Sequence, residues 1–541
     1  MSNGNQVFVR GAAILALTGI GARVIGAVFR IVLAAILGDE GIGLYQYAYP
    51  IYSTLLVIST AGIPVALSKM MAEKIALRDY SEALRVFRIA FMLLLFSGLA
   101  IAVIMLIAAE TVALHLVKDV QAYYPLLAIS PAIFFVTIMA SLRGFFQGQQ
   151  NMAPTAVSQL LEQLVRVGFS IVMVFLLFPI GLEYAAAGAT SGASAGGLAG
   201  LILLTVLYLH RRKHWFTEEQ SNQLTKPEPT GLIIKRIFGL AVPVTIGGLV
   251  IPLLSLIDLA VVPRQLQSAG FDLETARALY GQLTGMAGSV VYFPNVIALA
   301  LSMSLVPAIS EALALNDQAM VRSRSDLGIK LTMLFALPAA MGLFLLAEPV
   351  TVLLFNNAEA GFPLAYLAWS VIPLCLYVST TGLIQGLGKP VVPALNMFYG
   401  GLVKTVIAWF LTAVPALNVG GAALASVIGL SLAAFLNLRQ VGLLTGWQPN
   451  LKQMVLLPSL ATVAMGAAVL GIDWGTRLIF SAFLSSGQVN ALAVSGAIVL
   501  GVIVYGLILL FSGVLKQDEL KMVPYLGKIL SALAGRLAGK Q

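Results

Sequence analysis

Apolar runs of membrane-spanning length follow one another through almost the whole chain, and no other feature constrains the fold so tightly. They fall near 11–37, 44–69, 86–109, 121–147, 154–178, 185–209, 236–262, 279–307, 328–354, 363–387, 391–414, 419–441, 454–472 and 489–513. A span needs about 20 apolar residues. Hydrocarbon offers the backbone no hydrogen-bond partner, so each such run must close its own bonds as a helix. The composition agrees, with 59% hydrophobic and 10% charged residues, against about a quarter charged in a soluble domain. The spacing predicts an all-α integral membrane protein with about 14 transmembrane helices.

The opening "MSNGNQVFVRGAAILALTGIGARVIG" has the outline of a signal peptide. Its apolar run, however, continues past Arg23 to Leu37, which predicts an uncleaved first span. The net charge of +9 points to basic inner loops rather than to nucleic acid. Loops on one side carry Lys69, Lys74, Arg78, Arg85 and Arg88, then Arg143, then Arg211, Arg212 and Lys213, with more beyond; the other side holds Lys118, Arg264, Arg277 and Arg477. The expectation is a multi-pass membrane protein with both termini cytoplasmic. A single cysteine, Cys375, excludes an intramolecular disulfide framework or a cysteine metal cluster.

The longest polar break, "RRKHWFTEEQSNQLTKPEPTG" at 211–231, has a weak repeat on either side. Gly144, Gln147, Gly148 and Arg166 fall opposite Gly382, Gln385, Gly386 and Lys404, always 238 positions apart. "AGIPVALSKMMAE" (61–73) likewise resembles "SLVPAISEALALN" (304–316). The predicted organisation is two pseudo-symmetric six-helix lobes, 1–210 and 235–445, joined by a cytoplasmic linker at 211–234. An appended helix pair follows at 446–515. The tail 516–541 alternates apolar and basic residues at helical spacing. It suits an amphipathic helix on anionic membrane lipids, or a plain solvated basic tail.

Charge inside the spans is the functional signal, because an ionisable side chain at mid-bilayer costs roughly 2.5–3.5 kcal/mol. Arg23, Arg30, Glu162, Arg166, Asp258 and Lys404 lie there. Glu162 and Arg166 are spaced to pair along one helix or to line a cavity. Arg23 and Arg30 have no acid in their own span. They either pair with Glu162 or, with Arg166, line a net-cationic cavity whose guanidinium forks suit a phosphate-bearing anion. Asp258 stands alone on its span, to bind a cation, take up a proton or pair with Lys404; Asn396 and Ser426 could add oxygens to a Na⁺ site. His115, His210 and His214 sit at helix ends or in loops, and no Gly-rich phosphate loop occurs, so an ATP-driven pump is not expected within this chain.

The stretch 22–90, with "GIGLYQYAYPIY" and "STAGIPVALSK", and later "QLLEQLVRV", resembles the stage V sporulation protein B and YtgP-like polysaccharide transport proteins. These stand with the MurJ-type lipid II flippases in the multidrug/oligosaccharidyl-lipid/polysaccharide (MOP) exporter superfamily. The resemblance spans essentially the whole chain and implies a non-enzymatic flippase for an undecaprenyl-diphosphate-linked glycolipid, most plausibly lipid II, working by alternating access. It implies a substrate arginine at Arg23 in "ARVIG". A second family arginine falls beside Arg30, with Phe29 at the matching place, about 100° around the helix. It also implies, in some members, a Na⁺ site. Asp258 and Asn396 fit its pattern, but Gly400 stands where the second acid would be. The last helix pair would form a groove for the polyprenyl tail. Na⁺ or H⁺ would be the coupling ion, with no other cofactor, and cell-wall synthesis proteins the partners. The competing expectations are a cation-coupled multidrug antiporter of the same superfamily, a flippase for another polysaccharide lipid, a scaffold recruiting envelope enzymes, and an enzyme acting on lipid-linked sugars.

Overall fold

The computed structural model describes residues 3–221 and 228–512, with side chains at 18–22, 24–210 and 228–512. The tail 516–541, linker residues 222–227, the side chains of 211–221 and that of Arg23 lie outside the described residues. Within them every regular element is helical.

The first helix, α1, runs Asn3–Thr60, and at 1.5 Å per residue its 58 residues would reach roughly 87 Å, nearly three bilayer cores. It breaks at Gly38, with φ 70° and ψ −173°, so it makes two crossings. Gly62, with φ 64°, turns the chain into α2 (Ile63–Ala76). Then come α3 (Tyr80–Thr111), α4 (Tyr123–Gly148), α5 (Ala153–Leu177) and α6 (Leu182–Ser221). The second half holds α7 (Thr230–Ser268), α8 (Leu273–Gly281) running on into α9 (Gly288–Ala314), α10 (Gln318–Leu345) and the short α11 (Ala347–Phe355). It ends with α12 (Gly361–Ala368), α13 (Val371–Gly386), α14 (Val391–Leu411), α15 (Asn418–Thr445), α16 (Leu457–Phe480) and α17 (Ser486–Phe511).

Among the described residues twelve stretches are long and apolar enough to cross a membrane, and α12 with α13, bent by 48°, makes a thirteenth. The first of the twelve, Thr18–Ala76, is the one broken at Gly38, which gives the fourteen crossings the apolar spacing predicts. Phe96, Ile107, Val463 and Val502 are each more than 60% exposed. Such a belt is a liability in water and the expected surface against lipid.

Packing groups the chain into two compact units, Met1–Ser289 with Thr405–Ala422, and Val290–Lys404 with Ala423–Gln541. In the first, Leu67, Met70, Phe87, Phe145, Ile233 and Ile237 build a core joining α2, α3, α4 and the start of α7. The helices touch where side chains are small. A Cβ on Gly144 would stand 2.9 Å from the Pro64 carbonyl, and one on Gly148 2.7 Å from the Met71 Cβ. Within the second unit a Cβ on Gly382 would stand 2.6 Å from the Ser302 carbonyl, and one on Gly386 2.9 Å from the Ile309 Cβ. Each of these residues lies 238 positions after its counterpart. The contact register therefore sets Ser302 opposite Pro64, five residues short of the Pro307 that similarity of sequence alone selects.

Candidate substrate-binding site

Helix α5 puts Glu162 and Arg166 one turn apart on one face. Glu162 is nine residues from the helix start at Ala153, roughly 14 Å into the span, and Arg166 roughly 20 Å. Behind them α6 presents Gly188, Gly192, Gly196 and Gly200 at four-residue spacing. A Cβ on Gly196 would stand 2.5 Å from the Glu162 carbonyl and 3.0 Å from the Arg166 Cβ, and one on Gly192 2.5 Å from the Arg166 carbonyl. Only glycine lets α6 come so near, and that approach fixes the α5 backbone carrying the charges.

The carboxylate of Glu162 bridges two arginines. Its Oε1 accepts from Arg166 Nη2 at 2.7 Å, and its Oε2 from Arg143 Nη2 at 2.9 Å. Arg143, near the end of α4, also donates through Nε to Ser158 Oγ at 3.0 Å. After its break α1 adds a tyrosine ladder, with Tyr45 and Tyr49 ring centres 6.2 Å apart and Tyr49 and Tyr52 6.0 Å apart. The guanidinium of Arg30, before the break, lies 5.2 Å from the Tyr49 ring centre, a cation–π arrangement. Arg30, Arg166 and Glu162 all act electrostatically on Tyr49.

The first unit thus holds two guanidinium groups on one carboxylate and a third on an aromatic ladder, all on helices long and apolar enough to span. Such a set can hold an anion bidentately while its rings cover apolar or sugar surface. Of the residues expected from sequence, Glu162 and Arg166 pair here, and Arg30 lies over Tyr49 of the ladder. Arg23 lies on α1 with its side chain outside the described residues. Sequence spacing places Arg143 in an inner loop, whereas its side chain reaches Glu162 from the last turns of α4. The tyrosines are visible in "YQYAYPIY", whose four- and three-residue spacings stack one helix face.

Asp258 also belongs to the first unit, on α7, where it acts electrostatically on Tyr280. Lys404, Asn396 and Ser426 belong to the second. Gly429 of α15 packs on α14 so that its Cβ would stand 2.6 Å from the Lys404 Cβ, as Gly196 packs on Arg166. Asn396 donates to Asn437 Oδ1 at 2.8 Å, and the Asn437 amide nitrogen faces Thr380 Oγ1 at 3.2 Å and Thr381 Oγ1 at 3.3 Å. Among the described residues no group of three or more His, Cys, Asp or Glu could hold a metal ion.

Another polar cluster closes the opposite end of the first unit. Arg277 of α8 donates to Asp119 Oδ2 at 2.7 Å and to Gln121 Oε1 at 2.5 Å, and Gln282 donates to Asp39 Oδ2 at 2.9 Å. Beside them Tyr47 stacks on Tyr280 with ring centres 5.3 Å apart.

Residues 8–313 match the family model described as polysaccharide biosynthesis protein. Stage V sporulation protein B of Bacillus subtilis (strain 168) is 30% identical over 530 residues, covering 97% of this chain and 99% of that protein. The lipid II flippase MurJ of the same organism is 26% identical over 524 residues, covering 93% and 94%. Among solved structures, lipid II flippase MurJ in an inward closed conformation superposes with a TM-score of 0.67 at 15% identity, covering 93% of this chain and 98% of that one. An inward-facing MATE family multidrug resistance transporter of the MOP superfamily does so with a TM-score of 0.65 at 15% identity, covering 79% and 96%. At that identity the structures speak for the fold alone.

Proposed function

The chain belongs to the polysaccharide biosynthesis protein family, and from that premise we propose that it is a flippase. It carries an undecaprenyl-diphosphate-linked sugar, lipid II first among them, from the inner to the outer leaflet by alternating access. The observation that carries this reading is the pair Arg143 and Arg166 on the single acid Glu162, with Arg30 over the Tyr49 ring, all on helices long and apolar enough to span. Each buried charge costs roughly 2.5–3.5 kcal/mol there, and a diphosphate that must pass the same depth gives that cost a use. Similarity to the lipid II flippase MurJ over 93% of the chain supports the same substrate class. Both termini are cytoplasmic in this reading, and the basic tail lies near anionic lipids and the wall-synthesis partners that use the product.

Coupling falls to Asp258, the lone carboxylate of its span. Asp258→Asn is expected to remove whatever dependence transport shows on a Na⁺ or H⁺ gradient, measured in reconstituted vesicles. Retention of that dependence would move coupling elsewhere.

The test of function is rescue of bacteria depleted of their own lipid II flippase, with lipid II translocation scored at matched expression. Wild type is expected to rescue, while Arg23→Glu and Arg30→Glu fail without loss of folded protein. Normal transport by Arg30→Glu would sink the cationic-site reading. The competing multidrug antiporter predicts efflux of cationic dyes by wild type and no translocation of lipid II.

A further inference from the structure

A carboxylate is the wrong charge in a site built for an anion. Glu162 nevertheless sits at the centre of the cluster, one oxygen on Arg166 at 2.7 Å and the other on Arg143 at 2.9 Å. It uses the same guanidinium donors that a phosphate would use. The three side chains keep 13–16% of their surface exposed, so the bridge can be reached. Two features show the arginines ready for more than this one partner. Arg166 Nε is buried with no hydrogen-bond partner, and Arg143 is held independently by Ser158 at 3.0 Å, so it keeps its place if the carboxylate leaves.

We propose that Glu162 is a tethered stand-in for the substrate's phosphate. In the empty carrier it neutralises and orients Arg143 and Arg166. When a diphosphate arrives it is displaced by side-chain rotation, and it re-forms the bridge to drive release. This inference rests on the flippase reading and adds what that reading lacks, a way for a site of paired arginines to let its anion go. Glu162 is then a positioning residue that weakens binding on purpose, because a carrier that holds its load too well stalls. An ion pair that merely joins α4 to α5 makes the opposite prediction, since its loss would weaken the site.

The probe is inorganic pyrophosphate, titrated into the purified full chain by calorimetry and by its effect on the unfolding midpoint. Glu162→Gln is expected to bind pyrophosphate about tenfold more tightly than wild type and to gain more thermal stabilisation from it. In vesicles carrying lipid II, KM and kcat should fall together. Arg143→Gln should lose binding. If Glu162→Gln does not fold, Glu162→Asp carries the test, because its shorter side chain spans the two arginines poorly; tightening of a few-fold is expected. Binding by wild type with equal or weaker binding by the Glu162 variant would overturn the stand-in and leave the flippase reading intact. Failure of both to bind would overturn both.

Discussion

Arg277 is 4% and Asp119 1% exposed at their side chains, 2.7 Å apart. At that burial the pair matters through what remains when half of it is removed. Asp119→Ala strands a buried guanidinium and should cost about 3–5 kcal/mol, read as a fall in the urea or thermal midpoint of the purified protein. Replacing Asp119 and Arg277 together by leucine and methionine should cost far less. Equal costs for the single and double variants would mean that the ion pair is not what holds α8 to the first unit. A more exposed pair shows the opposite regime. Lys74 Nζ meets Glu228 Oε1 at 2.7 Å, and the Lys74 hydrogen bond holds the Glu228 carboxyl below its ordinary value of 4.5. A depressed acid contributes stability above its ordinary value and loses it as pH falls through the depressed one. The thermal midpoint of purified wild type should therefore fall toward that of Glu228→Gln as the pH drops, the variant lying lower at neutral pH and lacking this acid dependence. An unchanged wild-type profile would rule out this clasp. The two pairs also show what single positions reveal. Glu162 with Arg166 is legible because the partners are four residues apart on one helix. Arg277 reads as an outer-loop cation, and Arg143 as an inner-loop one, because their partners lie 158 and 19 residues away in sequence and only packing brings them close.

At the scale of elements, the apolar runs alone locate nearly every span, since hydrocarbon thickness sets their length and backbone satisfaction their form. Of the two breaks, one was legible. α1 bends at Gly38 in "GDEG", between the apolar runs 11–37 and 44–69, whereas the tenth crossing bends between α12 and α13 at Trp369 and Ser370, inside the run 363–387. The second place carries no turn signal strong enough to stand out against many glycines and prolines. Gly38 offers a clean measurement, because nothing lies within 4 Å of a Cβ built there. Gly38→Ala should thus cost only backbone strain, about 1–3 kcal/mol, and should slow transport by pulling Arg30 away from the tyrosine ladder. No loss of stability would mean that the break tolerates an ordinary residue. Gly196→Val tests the opposite kind of glycine, one with normal dihedrals and no room. Pushing α6 off α5 should cost about 1–3 kcal/mol and misplace Glu162 and Arg166, seen as lost transport at normal expression.

Across the whole chain, the two halves share a plan but not a charge. The glycine contacts of α4 on α2 recur 238 residues later in α13 on α9, and Gly429 lies against Lys404 as Gly196 lies against Arg166. Where the first repeat has Glu162, however, the second has Gly400, so a carboxylate bridge belongs to the first alone. An asymmetric carrier needs a defined direction, and direction begins with topology. Cys375 is buried and is the chain's single cysteine, so one introduced cysteine reports on one loop in an otherwise native protein. Asn316 follows the eighth crossing in a tight turn with φ 52°, and Ser485 precedes α17 as its N-cap; both are exposed. The basic residues near Asn316, Arg322 and Arg324, put that turn inside, and Ser485, five crossings later, outside. A membrane-impermeant maleimide should label Ser485→Cys on intact cells and reach Asn316→Cys only after permeabilisation. The reverse pattern would place the termini outside, and the inner-to-outer direction of transport would fall with the orientation on which it rests.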